Sequence, residues 1–303
     1  MSETSPKSPD SPSSSQWQRL LKNTGLWQGS FTQISPQGRV LSDVKTEVEL
    51  APYDNDQAMH QEVRRYPPDE SAQIQKLDYR TLNRATLFFE NGAFSQGSMQ
   101  WGPYATFGAE LGLIAGQRRL RLVQLFDKND DSKSALKSLT LIRETLKGGD
   151  QVERPPLQVS DLLGTWRGEA VTQYADLRPE QHSKTQLTVD KVGDSQIRQA
   201  VSLGPDQPAF SSVGTIESTL GDSDNSERLG KRILFTGGSQ SVQVLLLPDG
   251  ASATCPTIIT PRQPLFLEVG WLLTPQKRQR LIRRYGASGE WESLTLVTEY
   301  LEP

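Results

Sequence analysis

The chain repeats itself, and that repetition limits what it can fold into more than any other feature. Gly25-Leu26-Trp27-Gln28-Gly29 returns as Gly164-Thr165-Trp166-Arg167-Gly168, offset by 139 residues (27 to 166), each copy after a Leu-Leu pair, Leu20-Leu21 and Leu162-Leu163. Asn91-Gly92-Ala93 matches Asp249-Gly250-Ala251, and Glu110-Leu111-Gly112 matches Glu268-Val269-Gly270, both offset by 158 (92 to 250, 110 to 268). Arg119-Leu120-Arg121-Leu122-Val123 pairs with Arg278-Gln279-Arg280-Leu281-Ile282 at 159 (119 to 278), and Ser138 to Leu146 with Ser293 to Leu301 at 155 (138 to 293). Matches in one order, with spacings that change only across turn-rich segments, mean a duplicated domain. The expected division is a disordered tail over 1–15, a first domain over 16–146, a linker over 147–158 and a second domain over 159–303.

Residues 2–15 hold seven Ser, three Pro and no apolar side chain, so ordering them would bury nothing to offset lost backbone entropy. Gly148-Gly149 and Pro155-Pro156 break regular structure and suit a short, stiff connection. Within each half, short alternating segments rich in Val, Ile, Thr and aromatics read as strands: Thr46 to Leu50, Leu120 to Leu125, Leu139 to Thr145, Gln186 to Val189, Val242 to Leu246 and Leu294 to Glu299. Asn91-Gly92 and Asp249-Gly250 are tight hairpin turns. Short helical pieces are expected at Gln16 to Lys22 and Asp161 to Leu163, each just before a Gly-x-Trp. Many strands and almost no helix in about 140 residues are best reconciled by closing each half into an antiparallel barrel, which removes the exposed sheet edges. Pro52 to Gln73 reads as a long polar loop present in one half only.

Composition excludes several function classes. Positive and negative side chains nearly cancel, 33 against 36, which argues against nucleic acid as a partner. One cysteine, Cys255, and two histidines, His60 and His182, leave no disulfide, zinc cluster or catalytic triad to assemble, and no cofactor is expected. Asp54, Asp56, His60 and Glu62 lack hard-ion spacing beyond Asp-x-Asp, so no metal is expected either. The longest apolar stretch, Val244 to Leu247, falls far short of the roughly 20 residues that cross a bilayer. With no targeting segment evident, the expected location is the cytoplasm.

A helical turn leading into Gly-x-Trp on the first strand, then a meander ending in a charged strand, resembles the calycin group of lipocalin-like barrels, with Gly25, Trp27, Gly29 and Gly164, Trp166, Gly168 as the signature. Asn23 to Phe31, paired with the C-terminal Arg-x-Arg and Ser-Leu-Thr-Leu strands, is similar to a family of tandem two-barrel proteins of cyanobacteria and chloroplasts, largely described as a domain of unknown function. That resemblance covers roughly residues 16–302 and implies two lipocalin-like barrels, each preceded by a short helix. Its plant member resembles an assembly factor for the chloroplast ATP synthase, and related single barrels include phycobiliprotein chromophore lyases. Calycins place an Arg or Lys of the last strand over the first-strand Trp, which here puts Arg143 on Trp27 and leaves Trp166, opposite Thr298, with another partner or none. Haem binding through a late-strand His is not expected.

Arg119 and Arg121, like Arg278 and Arg280, lie two apart on strands and face one way, with Glu110 and Glu268 on the preceding strands as partners. They form either an anion clamp for a ligand carboxylate or a structural ion pair. Trp101 and Tyr104 beside tight turns suit partner anchors, and Arg283 and Arg284 end a basic strand, Lys277 to Arg284, suited to an acidic protein surface. The expected function is non-enzymatic: protein binding or assembly in photosynthetic organisms, with a photosynthetic or ATP synthase subunit as partner. The alternative is a carrier or lyase-like barrel holding a tetrapyrrole, lipid or other apolar carboxylate. An isomerase-like activity would have to rest on Glu110 with Arg121.

Overall fold

The structure, a computed structural model, describes residues 14–129, 132–150, 152–202, 210–218 and 231–303. The expected tail therefore lies mostly outside the described residues. Ser15 opens helix α1, Gln16–Leu20, by accepting a bond from the Gln18 amide, and a single 3-10 turn, Leu21–Asn23, follows. A second 3-10 turn, Val159–Leu162, precedes the second half where a helical piece is expected over Asp161 to Leu163, and the other described elements are strands.

Nine strands follow in the first half: β1 Gly25–Ile34, β2 Val40–Tyr53, β3 Ala58–Tyr66, β4 Gln73–Tyr79, β5 Thr86–Phe88, β6 Phe94–Gly97, β7 Phe107–Ala115, β8 Arg118–Lys128 and β9 Ser134–Leu146. The second half carries β10 Gly164–Tyr174, β11 Gln181–Lys191, β12 Gln196–Ser202, β13 Phe210–Ser218, β14 Lys231–Phe235, β15 Val242–Leu246, β16 Ala251–Pro256, β17 Ile258–Ile259, β18 Leu265–Thr274, β19 Lys277–Tyr285 and β20 Trp291–Leu301. Pairing is antiparallel throughout. The second half closes completely, β10 to β16 and then β18 to β20. The first runs β4-β3-β2-β1-β9-β8-β7-β6-β5 and stays open between β4 and β5.

The signature glycines have physical reasons. Gly25 and Gly164 leave their 3-10 turns at φ of 119° and 106°, where a side chain would be strained. At Gly29 a Cβ would stand 1.8 Å from the Arg143 carbonyl oxygen, and at Gly168 2.0 Å from that of Thr298, so the first and last strands of each half touch backbone to backbone. Trp27 and Trp166 then occupy equivalent places: each indole N–H donates to the preceding turn, to the Asn23 and Leu162 carbonyls at 2.8 and 3.1 Å.

Register shows where the halves diverge. Trp27 pairs with Val48 and Trp166 with Leu187, and following the next two ladders brings Tyr79 and Gly214 to equivalent positions. From Tyr79 the first half crosses to β5 through residues 80–85, whereas the second completes β13 and adds β14, which pairs with β13 and β15. β14 has no counterpart in the first half. The rise in offset from 139 to 158 is the sequence trace of that extra strand.

Three expectations need correction. The first half does not close into the expected barrel, because its sheet ends at β4 and β5 with no strand between them. Pro52 to Gln73 is not a long loop: β2 reaches Tyr53, a tight turn at Asp54, Asn55 and Asp56 takes positive φ, and β3 follows at once. The basic strand Lys277 to Arg284 is not a solvent-facing patch, because strand alternation turns Arg283 into the contact between the halves.

That contact is the largest apolar cluster among the described residues, and it lies between the barrels. The outer faces of β7 to β9, with Leu111, Leu120 and Leu141, meet those of β16 and β18 to β20, with Ala253, Val269 and Leu281. β17 adds to the edge of β9, pairing Ile258 with Ala135. Arg283, with no exposed surface, donates to the Ala85 and Ser98 carbonyls and to Ser95 at 3.1 to 3.3 Å, with its guanidinium 3.5 Å from the Trp291 ring centroid. Replacing it by alanine strands buried acceptors across the interface, and Arg283→Ala should lower the unfolding free energy by about 2–3 kcal/mol, read from the urea midpoint.

Candidate functional site

Alternation on β8 sends Leu120 and Leu122 outward and Arg119 and Arg121 into the first barrel, where they meet Glu110 from β7 and Glu144 from β9. Arg119 Nε donates to Glu144 at 2.7 Å, Arg121 Nη2 to the same carboxylate at 2.8 Å, and Arg121 Nη1 to Glu110 at 2.6 Å. The Arg119 guanidinium lies 4.5 Å from the Trp27 ring centroid. The second barrel repeats the arrangement. Arg278 and Arg280 donate to Glu299 at 2.6 and 2.8 Å, Arg280 reaches Glu268 at 3.3 Å, and Arg278 lies 4.1 Å over Trp166. A desolvated cation over an indole contributes about 2 kcal/mol.

The last strand thus supplies a carboxylate, and the cation over each Trp comes from the strand before it. This corrects the expectation for Arg143. It faces out of the barrel, bonded to Ser30, Thr32 and Glu153, because the inward position on β9 is Glu144. Trp166 is served by Arg278. Glu144 and Glu299 escape a search guided by the calycin pattern, although within the matched Ser-Leu-Thr-Leu strings they are the charged residue both copies keep.

Burial and ion pairing oppose each other in both clusters, and the outcome differs from group to group. Burial would raise the Glu144 carboxyl, but the Arg119 and Arg121 charges outweigh it and hold the group down at about 2. Glu299 is likewise lowered by Arg280 and Arg278 against its own desolvation. Burial pulls Arg278 down to about 10, while Glu268, where desolvation outweighs Arg280, is raised.

A cavity of about 330 Å³ opens onto the first cluster, between its Arg119, Arg121 and Glu110 and the apolar side chains of Val48, Leu50 and Phe88. In the second barrel Leu187, Val189, Ile197, Ile233, Phe235 and Leu246 pack around Trp166. A larger depression, about 650 Å³, is lined by Thr172, Tyr174, Gln181, Arg284, Ser293 and Thr295; it is polar and reaches neither Arg–Glu cluster.

The expected partner anchors separate. Tyr104 is 76% exposed, with Lys128 5.6 Å over its ring, and Arg284 is exposed beside the larger depression. Trp101 is not an anchor: it is buried, donates to Ser134, and its backbone bonds Gly289 across the interface. Arg283 belongs to the same interface. Of the acidic group in the first half, Asp54 pairs with Arg80 and His60 with Asp78.

The fold and its two interior clusters define a tandem all-β protein with one closed barrel and one open one. Residues 13–149 match the model for the N-terminal part of a domain of unknown function, DUF3598, and residues 153–301 match that described as the C-terminal domain of biogenesis factor required for ATP synthase 1. A protein of unknown function of the DUF3598 family from Nostoc punctiforme has a solved structure that is 43% identical, with a TM-score of 0.84, covering 95% of this chain and 100% of that one. The chain belongs to the DUF3598 family. The S-type phycobiliprotein lyase CPES of Guillardia theta aligns at 15% identity and a TM-score of 0.31 over 48% of this chain and 90% of that one, a likeness too low to carry any argument. No curated protein matches.

Removing the shared carboxylate leaves two buried guanidiniums facing each other, so Glu144→Gln should cost about 3–5 kcal/mol in denaturant unfolding. Because the folded carboxyl sits at about 2 against 4.5 for the free group, its contribution is complete above 4.5 and is lost as pH falls toward 2. Acid unfolding of E144Q should therefore be flatter than that of the wild type in this window.

Proposed function

We propose that the protein is a non-enzymatic assembly factor that binds a subunit of an ATP synthase before the subunit enters the complex. The observation that carries this reading is the match of residues 153–301 to the domain described as a biogenesis factor required for ATP synthase. The nucleophile chemistry of the chain is in keeping with it. Burial pushes the Cys255 thiol up to about 12, far from a reactive thiolate, and His60 and His182 stand on β3 and β11, in different barrels. Work in a photosynthetic cell, in its cytoplasm, is part of the same proposal; the relative comes from the cyanobacterium Nostoc.

Of the four residues expected to contact a partner, Tyr104 and Arg284 are the exposed ones, an aromatic anchor and a planar cation. The full-length chain, mixed with each separately purified ATP synthase subunit, should form a stable complex with at least one on gel filtration. The double variant Tyr104→Ala, Arg284→Glu should weaken that complex tenfold or more. Failure of every subunit to bind would overturn the proposal.

A further inference from the structure

The open edge of the first sheet is left unprotected. Among the described residues β4 pairs on one side only, with β3, whereas its equivalent in the second half, β13, pairs with β14 on the other side as well. Gln73 to Asp78 are exposed without a break, Ile74 at 55% and Leu77 at 53%. Edge strands are ordinarily blunted by a proline, a bulge or extreme shortness. β4 is seven residues long, contains no proline, and keeps its ladder with β3 from Gln73 to Tyr79 without a shift of register. Such a row of unpaired backbone donors and acceptors is a template for one more strand.

The side chains say which strand fits. Leu77 and Tyr79 line the cavity of the first barrel, so alternation turns Gln75 inward with them and Ile74, Lys76 and Asp78 outward. A second copy of β4 added antiparallel is related to the first by a two-fold axis perpendicular to the sheet, and residues opposite one another must then face the same side. The pairing is thereby restricted to registers centred on a residue. Centring on Lys76 sets two ammonium groups opposite each other, and centring on Asp78 sets two carboxylates opposite, both destabilising. Centring on Gln75 sets Lys76 against Ile74. Centring on Leu77 places Lys76 of each copy opposite Asp78 of the other, Leu77 against itself and Gln75 against Tyr79.

That register also extends contacts already present on the outward face. Glu62 of β3 bonds Lys76 at 3.1 Å, and His60 of β3 bonds Asp78 at 2.9 Å. Across the axis the row runs Glu62, Lys76, then Asp78 and His60 of the other copy, acid alternating with base. We propose that β4 is a self-association edge, through which two copies of this chain join antiparallel, centred on Leu77, into one continuous sheet. A single strand pair buries less than the roughly 1,200 Å² at which stable complexes begin, so the dimer dissociates in the micromolar range. The proposal is independent of the assembly reading, and neither fails with the other.

Sedimentation equilibrium of the full chain between about 1 and about 200 µM should show monomer passing into dimer. Lys76→Glu sets like charges opposite at two symmetric places and should weaken the dimer tenfold or more. The double variant Lys76→Glu, Asp78→Lys restores the pairing with its signs exchanged and should recover most of that loss. A short dimaleimide should cross-link Leu77→Cys between copies and not Gln75→Cys, whose two positions stand four residues apart along the strands, roughly 13 Å. Cys255 is buried and does not compete, and every substituted side chain is exposed. A chain that stays monomeric throughout, a dimer indifferent to K76E, a double variant no better than K76E, or Q75C cross-linking as fast as L77C would each overturn the proposal.

Discussion

Each barrel is organised around one buried carboxylate. Glu144 and Glu299 are fully enclosed, and each is compensated only because strand alternation on the neighbouring strand delivers two guanidiniums to the same point. A charge so far from water tolerates no slippage: a shift of one residue in β8 against β9 would turn the arginines out and leave the carboxylate alone. The arrangement therefore fixes the register of the last two strands. The upper guanidinium in turn rests on the indole of the first strand, and the indole N–H ties that strand to the helical turn before it. Four segments distant in sequence are brought together by a single ionic contact.

Against this shared floor, the halves have diverged where the contact does not reach. One strand more closes the second barrel around the apolar cluster at Trp166, with a polar depression of about 650 Å³ toward its other end, and one strand fewer leaves the first open beside a cavity of about 330 Å³. Both barrels contribute in equal part to the contact between them, so the divergence lies in their interiors and not in that contact.

Much of this was legible in the sequence. Duplication, the all-β character and the Arg-x-Arg strands follow from local patterns, since alternation and turn residues act over a few positions. The partners Glu110 and Glu268 were legible for the same reason. Glu144 was not, because expectation placed the important cation at Arg143, one residue away and on the opposite face. Trp101 and Arg283 were read as surface groups because an aromatic or a basic side chain looks alike in solvent and in a contact between halves. The open sheet was hidden too: a strand that is missing announces itself only as a change in repeat spacing, which a longer loop would also produce.

The interface between the barrels has a consequence for how the molecule behaves in solution. Two apolar walls with a buried arginine bonded across them are the anatomy of a dimer contact, here closed inside one polypeptide. Separate chains joined this way would come apart on dilution, but a connection as short as residues 147–158 holds its ends at an effective concentration in the millimolar range or above. The stoichiometry of the pair is thereby written into the gene, and the cell never has to regulate it.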